Sequence, residues 1–286
     1  MIYLLLSILS STGIFVLFKL FSKYNINTLQ AIVVNYVTAC LCGLVLYDGQ
    51  IKISEIVQTD WFIAAFGLGF LFIAIFNIMA LTAQKNGLSV ASVASKMSVI
   101  IPIVFGIIVY QESIGTQKIA GIVLALIAVY LTSVKAKEGA VLTQSVYLPI
   151  LLFFGSGIID TSVNHYAPDD DIPLFSATIF AIAGIIGFTI LGFKSIKLKS
   201  RFKLRSVPFG ITLGVVNYCS IYFLLKALRV DGFESSSIFT INNVVIVAIS
   251  TLVGLLLFKE RISKKNWIGI LIAMISIILV TQSNGN

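Results

Sequence analysis

The chain has 286 residues, of which 58% are hydrophobic and only 11% are charged, and its mean hydropathy is +1.03. So little charge over so much apolar surface excludes a soluble globular domain of this length. A net charge of +8 would suggest nucleic-acid binding in a soluble chain. Here the cations lie between apolar runs, where they orient the chain and meet lipid headgroups, so we expect no nucleic-acid partner.

Apolar runs of roughly 17–25 residues recur along the whole chain, which is the length a helix needs to cross about 30 Å of hydrocarbon. A single signal peptide does not account for this repetition. We therefore predict an all-α integral membrane protein with ten transmembrane helices and nothing of domain size outside the bilayer. The predicted spans are 2–20, 28–47, 61–83, 88–110, 118–134, 147–166, 172–192, 207–226, 235–258 and 266–282. The longest loops, 48–60 and 193–206, should have no fold of their own.

The first half carries one cation deep inside a span, away from the span ends. Lys96 lies within the span 88–110, where an uncompensated lysine costs roughly 2.5–3.5 kcal/mol. We expect it to line a central cavity and bind an anionic group of a substrate; a structural ion pair or a snorkelled side chain is the alternative. Pro102 frees a backbone carbonyl in the same span, a common device beside a transport route. Asn77 is a second candidate substrate contact, although an intramembrane asparagine is as often interhelical glue.

A sequence repeat begins at the end of this half. Residues 111–131 read QESIGTQKIAGIVLALIAVYL, and residues 259–279 read KERISKKNWIGILIAMISIIL. A duplication within a membrane-filling sequence is typical of transporters, because two related halves can rock about a shared site. We predict two repeats of five helices, 1–138 and 139–286, around a central cavity. Because five is odd, the second repeat must enter the membrane in the opposite sense to the first, giving inverted repeats.

The repeat aligns two glutamates, Glu112 and Glu260. Each follows the end of an apolar run and precedes the start of the next helix. Out of context they resemble catalytic acids. We predict instead that they stabilise helix N-termini and anchor one half of the chain to the other.

The second half contributes the other candidate binding residues. Asp160, in the sixth span, is a second intramembrane charge, which we expect either to pair with Lys96 or to accept a coupling proton. Two tyrosines would gate the substrate or stack on it, and three amides would hydrogen-bond to it: Tyr218, Tyr222, Asn217, Asn242 and Asn243.

Charge in the loops predicts the orientation. Most of the 20 lysine and arginine residues lie on the side opposite the N-terminus. Because positive loops stay inside, that side should be cytoplasmic, with both termini on the non-cytoplasmic side of the cell membrane.

Motifs for chemistry are missing from the sequence. It contains no G-x-x-x-x-G-K-[ST] phosphate loop and no G-x-S-x-G elbow. One histidine and three cysteines provide no metal-ligand cluster. We predict no enzymatic activity, no cofactor and no metal, so a gradient or a partner must supply the energy.

The glutamate-bearing turn and the glycine-containing helix after it resemble the EamA-type members of the drug/metabolite transporter superfamily. So do the stretches leading into that turn, MALTAQKNGLSVASVASKMSVIIPIVFGIIVYQE and KALRVDGFESSSIFTINNVVIVAISTLVGLLLFKE. The resemblance implies a ten-helix basket that moves small organic solutes by alternating access through a cavity lined mainly by spans 3, 4, 8 and 9. The second half departs from the first in having Ser250 where the first has Pro102.

We therefore expect a secondary active transporter of a small organic metabolite, such as an exporter of an amino acid or related compound, acting as a monomer or homodimer in membrane lipid. A passive channel or facilitator is the alternative. A membrane-embedded enzyme is a third hypothesis, but Asp160 and His165 would lie about 140° apart around one helix, which makes a poor catalytic pair.

Overall fold

The computed structural model describes residues 2–49, 52–109, 115–133, 147–168, 172–198, 201–228 and 235–282. These residues form helices and short connections, with no strand among them. In chain order the helices are α1 (Ile2–Lys23), α2 (Thr28–Val45), α3 (Ile53–Val57), α4 (Phe62–Lys85), α5 (Leu88–Met97), α6 (Ile100–Val109), α7 (Thr116–Ser133), α8 (Tyr147–Tyr166), α9 (Ile172–Leu198), α10 (Ser206–Leu228), α11 (Ser235–Phe258) and α12 (Lys264–Gln282).

Seven stretches within the described residues are helical, long and apolar enough to cross a membrane. They are Ile2–Lys23, Thr28–Val45, Phe62–Lys85, Leu88–Val109, Ile172–Lys197, Ser206–Leu224 and Ile241–Phe258. Two shorter apolar stretches, Ile119–Thr132 and Tyr147–Val163, accompany them. The predicted all-helical, multi-pass membrane protein is therefore confirmed, and the full set of ten spans stays a prediction.

Three local features differ from the prediction. The expected loop 48–60 contains the short helix α3, and α9 continues six residues past its predicted end at 192, to Leu198. Lysine is a good helix former and stabilises a helix C-terminus, so Lys194 and Lys197 do not end α9. The predicted span 88–110 is two helices, α5 and α6, separated at Ser98 and Val99.

The chain divides into two compact units. The first contains Met1–Leu20, Ile78–Ile158 and Cys219–Asn286. Within it α7 packs on α12, and α5 packs on both α11 and α7. The helices bury one apolar cluster, whose members are Val93, Met97, Ile100, Ala125, Ala128, Val129, Phe153, Val247, Ile270, Ala273 and Ile277.

The second unit contains Phe21–Asn77 and Ile159–Tyr218, and its main helix pair is α2 with α9. Tyr36 of α2 is fully buried there. Its hydroxyl donates to the Phe72 carbonyl of α4 at 2.7 Å, and its ring stacks on Phe180 of α9. A buried hydroxyl needs such a partner, so this contact fixes how three helices meet.

Repeat-related helices pack antiparallel on each other. In the first unit, Ser276 of α12 donates to the Gly121 carbonyl near the start of α7 at 2.7 Å. Asn266, at the opposite end of α12, donates to the Thr132 carbonyl near the end of α7 at 3.0 Å. In the second unit α2 and α9 behave alike, because Gly187 packs on Val33 while Gly43 packs on Ala177. This is the relation expected of repeats that cross a membrane in opposite senses.

The boundary between the predicted repeats, at residue 138, lies outside the described residues. The division into 1–138 and 139–286 therefore stays a prediction. It differs from the two compact units, each of which contains segments from both halves of the chain.

Candidate functional site

Lys96 lies at a break in a membrane-spanning helix. It is half-buried in the last turn of α5, two residues before the break at Ser98 and Val99. Because Pro102 of α6 has no N–H, the Ser98 carbonyl lacks its usual helical donor. The N–H of Ile101 donates to that carbonyl instead, at 2.9 Å, in the tighter spacing of a turn. Helix C-termini carry partial negative charge, so the broken helix end favours the Lys96 ammonium.

The other end of α5 is capped by a carboxylate from the second half of the chain. Both oxygens of Glu260 lie 3.0 Å from the N–H of Leu88, the first residue of α5. Lys19 of α1 forms an ion pair with Glu260 at 2.9 Å and also donates to the Ala83 carbonyl of α4 at 3.3 Å. The Glu260 side chain is only 10% exposed. We call Lys19, Leu88 and Glu260 the Glu260 clasp; it joins α1, α4, α5 and the turn after α11.

Two glycines make room for the Glu260 clasp. A Cβ at Gly254 or at Gly87 would lie 2.7 Å from a carboxylate oxygen of Glu260. Gly87 also has φ of +110°, a conformation that other residues rarely adopt. The prediction that Glu260 stabilises a helix N-terminus and anchors the two halves is confirmed, and the helix is α5. Its repeat partner Glu112 lies outside the described residues, where the same prediction stands.

Asn242 and Asn243 lie on α11, the helix that packs on α5. Val93 and Met97, on either side of Lys96 along the chain, share the apolar cluster of the first unit with Val247 of α11. Asn242 is 1% exposed and accepts a hydrogen bond from Ser7 of α1 at 3.2 Å.

Ser7 extends this polar contact to α10. It also lies 3.1 Å from the Ser220 carbonyl, and Ser11 donates to the Ser220 hydroxyl at 3.3 Å. The hydroxyl of Thr12, also buried on α1, has no hydrogen-bond partner in the part of the chain that the structure describes. A polar cluster thus lies among α1, α10 and α11 inside an apolar unit.

Tyr222 of α10 is half-buried in the same unit. The ammonium of Lys226 lies over its ring, 5.6 Å from the centroid. Phe223 packs edge-on against it, with ring centroids 5.6 Å apart. The Lys226 ammonium therefore forms a cation–π contact with one face of the Tyr222 ring.

The remaining predicted site residues belong to the second unit, and two of them contact α2. Asn217 of α10 donates to the Asn35 side chain of α2 at 3.3 Å, and both residues are buried. The ring of Tyr218 packs against Gly43 of α2. These contacts tie α10 to α2.

Asn77 and Asp160 lie in less enclosed positions. The half-buried Asn77 donates to the Ile73 carbonyl of its own helix at 2.7 Å. Asp160 of α8 is exposed. The expected pairing of Lys96 with Asp160 stays a prediction, as does the binding role of all eight candidate residues.

Sequence reasoning missed several polar residues that the structure brings together. Ser7 and Ser11 are four residues apart in an apolar span, which places both on one face of the helix. This spacing could have indicated a polar contact with another helix. Lys19 lies at the end of the predicted span 2–20, where a cation is expected only to orient the chain. Nothing in the sequence near Lys19 or Leu88 points to Glu260, because the partners lie more than 170 residues apart along the chain.

These features define a multi-pass membrane protein with antiparallel repeats and a cation at a helix break. The EamA-like transporter family matches residues 1–134 and 145–282, once for each half. The chain belongs to this family, which is part of the drug/metabolite transporter superfamily. Membership points to a membrane transporter of small solutes.

Two similar proteins extend the comparison. An uncharacterized protein of Haemophilus influenzae is 32% identical over 283 residues, covering 96% of this chain and 95% of that protein. A protein of known crystal structure is 14% identical to this chain and superposes on it with a TM-score of 0.59. The match covers 99% of this chain and 96% of that protein's chain. At that identity the likeness concerns the fold alone.

Proposed function

We propose that this protein is a secondary active transporter that exports a small organic metabolite, such as an amino acid or related compound, by alternating access. The observation that carries the proposal is Lys96 at the break between α5 and α6, in a chain of this family. Discontinuous helices with polar or charged groups at the break form the binding sites of many secondary transporters.

Lys96 would present its ammonium to a carboxylate or phosphate of the substrate. A lysine inside a membrane costs roughly 2.5–3.5 kcal/mol on insertion scales, a cost that a functional role explains. Asn242, Asn243 and Tyr222, in the same compact unit, would supply hydrogen bonds and an aromatic face. From their sequence positions we also propose Asn77, Asn217 and Tyr218 as substrate contacts.

Transport would use an existing gradient, since the sequence has no phosphate-binding loop. Asp160 is the candidate carrier of a coupling proton. Rocking of the two repeats would expose the site to each side of the membrane in turn.

Transport in proteoliposomes tests the proposal. Candidate substrates come from comparing the metabolites in media of cells with and without the chain. We expect saturable uptake of an anionic or zwitterionic compound, together with counterflow driven by the same compound inside. Lys96→Gln should reduce transport at least about tenfold, the effect of losing roughly 1.4 kcal/mol of charge-assisted binding.

Two controls separate function from folding. Lys265→Gln removes an exposed cation at the start of α12 and should leave transport unchanged. Lys96→Arg keeps the charge and should retain more transport than Lys96→Gln. Wild-type transport by a well-folded Lys96→Gln protein would contradict the assigned role.

The alternative is a passive channel or facilitator. It predicts flux that does not saturate, and no counterflow, because a channel needs no exclusive inward and outward states. The family assignment favours the transporter.

A further inference from the structure

We propose that the end of α9 and the turn into α10 form a binding surface for the headgroups of anionic phospholipids. We call it the α9–α10 basic surface. It consists of the exposed cations Lys194, Lys197, Arg201, Lys203 and Arg205. The proposal concerns how the protein meets its membrane and does not depend on the proposed transport function.

The charge of this surface has one sign. No aspartate or glutamate occurs between Asp171 and Asp231, so the local sequence provides no carboxylate to neutralise the cations. Among the residues that the structure describes, none of the five forms an ion pair; the ion pairs there are those of Lys19 with Glu260 and Lys52 with Glu55. Uncompensated cations at a membrane boundary attract anionic lipid.

Exposed apolar side chains alternate with these cations. In the turn, Phe202 is 47% exposed and Leu204 is 80% exposed. On α9, Phe193 and Ile196 are also exposed, and the Lys197 ammonium lies 4.7 Å from the centre of the Phe193 ring. Apolar side chains next to cations fit the boundary between acyl chains and headgroups, where the apolar parts insert and the cations reach phosphate.

The turn is held in place by Gln30 of α2, whose side chain is buried. Its amide N–H donates to the Arg201 carbonyl at 3.1 Å, and its oxygen accepts from the Lys203 N–H at 2.9 Å. The Ser206 hydroxyl lies 3.4 Å from the same oxygen. A segment that is held at Arg201 and Lys203 by a buried side chain presents its own side chains with less loss of conformational entropy on binding than a free loop does.

The length of α9 places the surface at headgroup depth. Its 27 residues extend about 40 Å at ~1.5 Å per residue, whereas the hydrocarbon core is about 30 Å thick. Because the charged residues of α9 lie at its C-terminal end, we place its last turns, with Lys194 and Lys197, in the headgroup layer. This position and the alternating apolar side chains favour a lipid over a soluble anion or an acidic protein.

Native mass spectrometry of the full-length protein tests the proposal. The purified protein is titrated with phosphatidylglycerol or phosphatidylcholine in detergent, and retained lipid is counted. We expect the wild type to prefer phosphatidylglycerol, and the triple variant R201Q/K203Q/R205Q to lose at least about tenfold of that preference, given roughly fivefold for each cation near an anionic surface.

A matched triple variant, R261Q/K264Q/K265Q, removes the same charge from the end of the α11–α12 turn and the start of α12 and should keep the preference. Equal loss in both triple variants, or no loss in the first, would overturn the proposal. Displacement of the lipid by excess inorganic phosphate would also overturn it, because the surface would then recognise a free anion.

Two further variants address the construction of the surface. The double variant F202S/L204S keeps every charge and should weaken phosphatidylglycerol retention by removing the inserted side chains. Gln30→Ala should weaken it by releasing the turn, and a thermal unfolding curve establishes that this variant is folded. Unchanged retention in F202S/L204S would contradict a headgroup-boundary site.

Discussion

At the scale of single residues, the Glu260 clasp joins the two halves of the sequence through an ion pair and a charge-assisted hydrogen bond. One carboxylate caps α5, forms an ion pair with Lys19 and lies against two glycines. An N-terminal cap contributes typically about 1 kcal/mol. A largely enclosed ion pair that loses one partner leaves the other charge poorly solvated, which adds to the cost.

Glu260→Ala should therefore destabilise the protein by about 2 kcal/mol. Glu260→Gln should cost less, since its amide oxygen still accepts from the Leu88 N–H. Thermal unfolding in detergent measures both. Glu55→Gln is the control: it removes the exposed ion pair of Glu55 with Lys52 and should leave the unfolding temperature unchanged. Equal unfolding temperatures for Glu260→Ala and the wild type would contradict a stabilising clasp.

Sequence reasoning predicts which residue types are significant here better than it predicts their partners. An intramembrane lysine or asparagine is conspicuous because burial is costly. Whether it meets a ligand or another helix depends on distant residues. Asn217 pairs with Asn35, and Asn242 accepts from Ser7. Neither pair is visible in one sequence, since apolar periodicity carries no information on which helices touch.

At the scale of helices, the break after Lys96 distinguishes the first half from the second. Pro102 corresponds to Ser250 in the repeat, and α11 runs without interruption from Ser235 to Phe258. The Ser250 hydroxyl is buried with no hydrogen-bond partner among the described residues. Pro102 is the third residue of α6 and lacks the N–H that would continue the hydrogen bonding of α5 into α6, so the sequence itself sets the break that follows Lys96.

Pro102→Ala should restore a donor to the Ser98 carbonyl and make α5 and α6 continuous. We expect the unfolding temperature to stay the same or rise, while transport in proteoliposomes falls several-fold because the helix end next to Lys96 is lost. Pro149→Ala and Pro208→Ala are matched controls, since both prolines lie in the first turn of a helix and should affect neither property. Wild-type transport by Pro102→Ala would show that the break is not needed.

The helices themselves follow closely from the sequence. Long apolar runs bounded by polar turns give each predicted span a helix that begins within a few residues of the expected position. Hydropathy does not detect backbone hydrogen bonding, so it predicts one helix over 88–110 despite Pro102, where the structure has α5 and α6. The short helix α3 lies in a polar segment, where apolar length gives no signal.

At the scale of the whole molecule, the antiparallel packing of α7 with α12 and of α2 with α9 is the structural counterpart of the repeat. The repeated sequence and the odd number of predicted spans imply opposite senses of insertion, and side-chain contacts within each compact unit agree with this relation. Inverted repeats fix the relation between the halves but leave open which side faces the cytoplasm.

Loop charge predicts that side, and cysteine labelling tests it. In a variant lacking Cys40, Cys42 and Cys219, a single cysteine is introduced as Lys203→Cys or as Lys52→Cys, both exposed positions. Because positive loops are retained in the cytoplasm, a membrane-impermeant thiol reagent should reach Lys203→Cys only after cells are opened.

The same reagent should label Lys52→Cys in intact cells, because residues 28–47 and 61–83 place the segment between them on the side of the N-terminus. The two variants act as controls for each other: labelling of both in intact cells indicates leakage, and labelling of neither indicates shielded thiols. Labelling of Lys203→Cys alone in intact cells would invert the predicted orientation. The α9–α10 basic surface would then face the outer leaflet, although its binding of anionic lipid in detergent would be unaffected.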